Sequence, residues 1–269
     1  KLLAVAGAVT ALSMGVAACG SDDDSTSGGG GSASPDDQFD LTIGGLLPQT
    51  GDLSTFAPAG EKGANLGIEE ASKALGNTHI TVEISEGASC LIGPWASDET
   101  IPVGQTVAGR QQVPLISPSS TSPEITDLPD NGYVFRTAPS DALQGVVLAD
   151  AVAEEFGADA TISVAARNDA YGEGIANAFI ENFEANGGTT TGPVLYDPEG
   201  TTFDSEAEEI VADDPDGWVI IDFEDPYGKV GAALARTGDF DASRMFTADG
   251  LAFDPTFPDT IPAEAIDGA

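Results

Sequence analysis

The sequence predicts an α/β protein built as two doubly wound parallel-sheet lobes, and three observations carry that reading. Strand and helix signals alternate from Leu41 onward, the pattern restarts after residue 140, and short apolar runs stop abruptly in Gly, Pro, Ser and Thr. The third is clearest in Ile92-Gly93-Pro94-Trp95-Ala96-Ser97 and in Pro114-Leu115-Ile116-Ser117-Pro118-Ser119-Ser120-Thr121-Ser122-Pro123. Buried parallel strands read this way where they end at the carboxyl edge of an open sheet. Ligands of such sheets sit beyond the strand ends. Hydroxyls and free backbone N–H groups placed there, at the starts of the following helices, suit a carboxylate. The expected occupant is a small anionic or zwitterionic molecule.

Taken in order, the chain opens with an export signal. Lys1 precedes an apolar stretch over residues 2–16 that is short for a membrane span and ends in Val16-Ala17-Ala18-Cys19. With no initiator Met, the sequence is expected to begin inside that signal. The Val-Ala-Ala-Cys ending resembles the bacterial lipobox, which predicts residues 1–19 as a lipoprotein signal with Cys19 lipidated. An ordinary signal peptide or a short anchor with a chance Cys is the plainer alternative. Residues 20–40 are Ser, Gly, Asp and little else, too polar to bury a core, and read as a flexible linker.

The first lobe is expected over residues 41–138. Residues 41–47 are a strand ending in the loop Pro48-Gln49-Thr50-Gly51, and residues 60–75 carry apolar side chains at helical spacing. Residues 80–84 and 89–92 are the second and third strands, 101–110 a helix, and 113–116 and 133–136 two further strands. Only Ser85 to Ala88 separate the second and third strands, whereas a parallel neighbour needs a crossover of about a dozen residues. The two therefore form an antiparallel hairpin, or both are parallel and a connecting helix is missing; their apolar character favours the second. Thr137-Ala138-Pro139-Ser140 is the expected crossing to a second lobe over 139–247. There helices 144–156, 172–186, 203–212 and 228–237 alternate with strands 160–164, 189–195, 218–223 and 245–247. About 230 residues in two such runs exceed one typical core.

Composition narrows the partners. There are 9 basic and 45 acidic residues; residues 1–40 hold Lys1 and six Asp, so the remainder carries 8 against 39, a net charge of −31. Such a surface repels nucleic acid and anionic headgroups. An acidic solvated shell explains it; calcium binding is the sharper alternative, but no Asp-x-Asp-x-Asp-Gly loop occurs. With Cys19 assigned to lipid, only Cys90 remains, read as an inert thiol without a disulfide partner. Enzyme chemistry finds little support. The single His79 gives no zinc site or Ser–His–Asp triad, and neither a Gly-x-Ser-x-Gly elbow nor a Gly-x-x-x-x-Gly-Lys loop is present. Gly172-x-Gly174 lacks the third glycine of a dinucleotide fingerprint, Asn177 standing there. Paired carboxylates could serve a glycosidase, but context singles out none. No enzyme, cofactor or metal is expected.

Ile43-Gly44-Gly45-Leu46-Leu47-Pro48-Gln49-Thr50-Gly51, Gly63-Ala64-Asn65-Leu66-Gly67-Ile68-Glu69-Glu70-Ala71, the two segments quoted first, Tyr171-Gly172-Glu173-Gly174 and Ala248-Asp249-Gly250 together resemble the branched-chain amino-acid binding proteins of ABC importers. The resemblance covers about residues 41–255. It implies the type I periplasmic binding fold, two lobes joined by a hinge around an amino acid, an ABC permease and ATPase as partners, and a membrane held through the lipid anchor. A ligand sensor of the same fold serving a signalling partner is the alternative. The family also implies a helix between the second and third strands and a chain continuing past residue 269, so residues 248–269 are expected to begin a return to lobe one in a fold incomplete at its C-terminus.

The resemblance further implies site residues. Ser97 matches the hydroxyl that binds the ligand's α-carboxylate, and Ser119 and Thr121 match the pair whose backbone and hydroxyl groups complete the clamp. Neutral donors suit that task without adding a charge to desolvate; from the residues alone, 117–122 is equally a Ser/Pro turn capping a helix. Asp249 matches the acid that pairs with the α-ammonium, although any one of 45 acids is commonly a surface group. Tyr171 falls where the family places an aromatic near the ligand. Phe56 falls over the ligand side chain, or in the core, and Trp95 walls the pocket or packs the lobe. Glu224 stands where an aromatic is usual, a departure bearing on side-chain specificity.

Overall fold

The computed structural model describes residues 40–75, 79–82, 87–252 and 261–268. The expected leader with Cys19 lies outside them, as does the linker up to residue 39. Two sheets, each with every neighbouring pair of strands parallel, organise the described residues. The first contains β1 (Asp40–Gly45), β2 (His79–Val82), β3 (Cys90–Ile92), β4 (Leu115–Ser117) and β5 (Val134–Arg136), in the order β2-β1-β3-β4-β5. The second contains β6 (Thr161–Arg167), β7 (Thr189–Tyr196), β8 (Gly217–Ile221) and β9 (Met245–Thr247), in the order β7-β6-β8-β9. The predicted α/β class with two doubly wound parallel sheets is what is found.

The helices are α1 (Ala57–Leu75), α2 (Ser97–Val103), a single turn α3 (Gly109–Gln111), α4 (Asp141–Phe156), α5 (Ala170–Ala185), α6 (Asp204–Ile210) and α7 (Glu224–Thr237). Between α2 and α3 the chain widens into a π turn over Gly104–Ala108, after Pro102 inside α2. Several helices begin before their apolar periodicity does. The predicted starts at 101, 144 and 228 miss first turns made of Ser97-Asp98-Glu99, Asp141 and Glu224-Asp225, because capping turns are polar and carry no hydrophobic stripe.

The strands around residues 80 and 90 are both parallel to β1, on opposite sides of it, so the hairpin alternative is excluded. The register shows why so short a link suffices. Val82, the last residue of β2, and Cys90, the first of β3, both pair with Ile43. One strand ends at the level where the other begins, so joining the two ends needs only a crossing of β1. That crossing is about 10 Å at ordinary strand spacing, well within the reach of eight peptide units.

The second sheet is covered on both faces. Trp218 and Ile220 of β8 face one cluster with Tyr196, Ile210, Tyr227, Val230 and Leu234; Val219 and Ile221 face the other with Ile162, Val164, Ile175, Phe179 and Phe183. On α5, Tyr171, Ile175, Phe179 and Phe183 recur every four residues and form its buried stripe. Ile261 and Ala265 also join the first of these clusters, and the Tyr227 hydroxyl donates to the Ala265 carbonyl at 2.7 Å. Residues 261–265 thus pack on the second half.

The first sheet is different. Leu115 and Ser117 are fully buried, and Val134 packs beneath Gly104, but Ile116 and Phe135, register partners on the opposite face, are 41% and 52% exposed. The apolar run ending at Ile116 was expected to be a buried strand; only one of its faces is.

Candidate functional site

Both sheets have a switch point where the strand order reverses, β1/β3 in the first and β6/β8 in the second, and crevices open at such points. The segments leaving these strands, with those after β4 and β9, converge on one cavity of about 160 Å³. Leu53 and Phe56 come from the segment after β1, Trp95, Ala96 and Ser97 follow β3, and Ser119 and Thr121 follow β4. Tyr171 opens α5, Phe223 follows β8, and Asp249 and Gly250 follow β9. All seven predicted ligand residues line this cavity. A wider, solvent-open hollow of about 830 Å³ lies on the outer side of the second half between α6 and α7, lined by Asp204, Glu208, Asp213, Asp214 and Arg236 among others, and holds none of the predicted residues.

Two glycines let the first-half wall form. Gly93 sits at φ +97°, and a Cβ there would meet the Leu46 carbonyl oxygen at 2.2 Å. At Gly60 a Cβ would strike the Trp95 ring at 2.4 Å, so α1 can lie against the indole only without a side chain there. The buried hydroxyls of Thr100, Ser117 and Ser120 form a network with the carbonyls of Pro94 and Trp95. That network ties the turn after β4 to the turn after β3.

Within this frame the predicted clamp is partly spent on itself. The Ser119 hydroxyl donates to the Trp95 carbonyl at 2.7 Å. Ser97 Oγ accepts from the Thr121 N–H at 3.2 Å and the Ser122 N–H at 3.1 Å, which leaves the Ser97 proton as the group to offer a ligand. The Thr121 backbone N–H is thus engaged by Ser97.

The second half supplies the acid. Asp249 Oδ1 accepts from the Tyr171 hydroxyl at 2.9 Å and from Gln144 Nε2 at 2.7 Å, while the Gly250 N–H donates to the same Tyr171 oxygen. Burial pushes the Asp249 carboxyl up, against the Tyr171 hydroxyl and the N–H groups of residues 249 and 250 that favour its ionised form. Burial likewise holds the Tyr171 phenol well above its ordinary value, so it stays a donor.

Behind Thr121 lies a residue the sequence did not single out. Asp141 is completely buried, and neither carboxylate oxygen accepts a hydrogen bond of ordinary geometry, although the Thr121 hydroxyl lies close by. Burial first, then the nearby Asp249, push its carboxyl up to about 7, while Thr121 and the Arg136 charge work the other way. Arg136 gives Nη1 to the carbonyls of Thr121 and Ser122. Leu53 and Phe223 were also missed. Phe223 stacks on Tyr171 with 5.0 Å between ring centroids and supplies, one residue before Glu224, an aromatic wall.

Chemically the cavity offers the Ser97 hydroxyl as a donor, one lining acid in Asp249 and largely apolar walls. None of its lining residues is cationic. Asp249 fits an ammonium group, and the buried Trp95 indole N–H, without an acceptor among the described residues, adds a donor.

Comparison with known proteins agrees with this architecture. A periplasmic binding protein family profile matches residues 82–269. The Leu/Ile/Val-binding protein BraC3 of Rhizobium johnstonii is 27% identical over 168 residues, 55% of this chain and 45% of that protein. The chemotactic signal transduction substrate-binding protein BasB of Halobacterium salinarum is 26% identical over 204 residues, 61% of this chain and 49% of that one. The chain therefore spans less than half the length of either relative. Among solved structures, a leucine-binding protein from Thermotoga maritima superposes with a TM-score of 0.67 at 22% identity, over 82% of this chain and 66% of that one, which establishes a shared fold.

Proposed function

The chain belongs to the periplasmic binding protein family, and from that premise we propose that it is the extracytoplasmic receptor of an ABC importer, closing around an amino acid with a branched-chain or related apolar side chain. Family membership makes it a solute-binding protein rather than an enzyme. The observation that carries the reading is the mixed lining of the cavity: the Ser97 hydroxyl, the Asp249 carboxylate, and Leu53, Phe56, Trp95 and Phe223 as walls. A zwitterion satisfies both the hydroxyl and the carboxylate. A volume of about 160 Å³ is below the several hundred Å³ of sites for drug-sized ligands and suits a single amino acid. Ser119, Thr121 and Tyr171 shape and orient these groups, Cys19 would carry the lipid anchor, and a permease with its ATPase would read the closed state.

The relation to BasB favours a second reading in which the same binding step reports to a chemotactic signalling partner. Titration calorimetry with leucine, isoleucine and valine tests the shared step. Binding is expected, with Asp249→Ala weakening it about 100-fold by leaving the ammonium without its charge partner. An Asp249→Ala protein that binds as tightly as the parent would remove the assignment. Permease genes adjacent to this one support import; a transducer gene in their place supports signalling.

A further inference from the structure

The two halves also meet beside the cavity. Arg167, the last residue of β6, is only 6% exposed, and its guanidinium is met by three carboxylates. Nε donates to Asp169, Nη1 donates to Asp52 Oδ2 at 2.9 Å, and Asp222 Oδ1 lies 3.6 Å from Nη1. The guanidinium also lies over the Phe223 ring, 4.0 Å from its centroid. Asp169 caps α5 and Asp222 follows β8, so both travel with the second half. Asp52 alone comes from the first half, from the segment after β1 and immediately before Leu53.

We propose that the Asp52–Arg167 pair is a latch between the two halves, which seats Leu53 against Phe223 at the ligand and holds the cleft shut. This rests on the reading that the cleft binds an amino acid between moving halves. The charge arrangement is what makes the pair separable. A buried guanidinium that loses its only partner is stranded at high cost. Arg167 is not so placed: burial opposes its charge, but Asp169, Asp222 and Asp52 together outweigh burial and hold it ionised. When the halves part, Asp169 still pairs with Arg167 and Asp222 stays beside it. Asp52, whose side chain is 16% exposed in the closed arrangement, returns to water easily. The latch is wired to the site through stacked rings: Arg167 lies on Phe223, Phe223 on Tyr171, and the Tyr171 hydroxyl holds Asp249. Arg167 is thus a positioning residue, acting on the ligand through Phe223 and Leu53.

The test removes and then reverses the first-half charge, with Asp52→Asn and Asp52→Lys, leaving the internally compensated Arg167 cluster in place. Pulsed electron resonance distances are measured in the full chain between labels on Glu69→Cys and Glu181→Cys, exposed on α1 and α5, with Cys19→Ser and Cys90→Ser. Leucine affinity is measured alongside. Without ligand, Asp52→Asn is expected to shift the distances toward an open population and Asp52→Lys to shift them further. Leucine Kd is expected to rise about three- to tenfold in Asp52→Asn. Unchanged distances in both variants overturn the latch, whether or not affinity falls, because a weaker affinity alone would mark a local contact. Should the parent chain fail to bind leucine, the functional reading falls, and the ligand-free distances still decide the latch.

Discussion

The two sheets share a strand grammar and differ in what covers them. In the second, consecutive residues of β8 are buried on alternate faces, each against its own layer of helices. In the first, the Leu115–Val134 face lies beneath the α2–α3 segment, while Ile116 and Phe135 on the other face stand exposed among the described residues. A run of apolar side chains therefore announces a strand without announcing that both its faces are buried. The cavity draws on both sheets, so a well-packed half presents one wall and a half covered on one face presents the other.

That contrast can be broken from its strong side first. Trp218→Ala removes the largest fully buried side chain of the second half, including its indole bond to the Ile210 carbonyl. Urea unfolding is expected to show a loss of about 3–5 kcal/mol.

Asp141 gives a middle-sized effect that depends on pH. Its carboxyl stands at about 7 in the folded protein, against 3.8 for the free group. The folded state therefore keeps a proton that the unfolded chain has already released between about pH 4 and pH 7. Its contribution to stability is complete below pH 4 and is lost as pH rises through 7. Asp141→Asn is expected to match the parent at pH 4 and exceed it by ~2 kcal/mol at pH 8; a parallel pair of pH–stability curves would contradict this. Asp222, also pushed to about 7 by burial, adds a similar slope of its own that the variant retains. Ligand affinity moves the opposite way: an ammonium favours the ionised carboxylate, so binding by the parent is expected to weaken below pH 7.

The smallest effect belongs to the open face. Phe135→Ser, at a residue 52% exposed, is expected to change stability by less than about 0.5 kcal/mol. A loss above 2 kcal/mol would show that this face is covered in solution after all.

What was legible in the sequence follows from the same physics. Strand ends announce themselves, because an apolar run that halts in Gly-Pro-Trp-Ala-Ser or Ser-Pro-Ser-Ser-Thr has no other common explanation in an α/β chain. Ser97, Ser119 and Thr121 could thus be placed from residues and resemblance together. Asp141 could not: one acid among 45 looks like any other until burial strips it of water. Leu53 is a single apolar residue in a loop, and Phe223 stands beside the position to which resemblance drew the eye. Hydrogen bonds within the clamp were equally invisible. Local pattern places Thr121 near the crevice, and only the folded backbone shows its N–H donating to Ser97.

The stagger of the two short strands about Ile43 has an evolutionary corollary. Where one segment finishes level with the start of the next, joining them requires only the span of a single backbone. Insertions at that join, even of an entire helical excursion, are expected to leave strand order and polarity as they are. Length variation among relatives should therefore gather there, distant from the chemistry that selection guards.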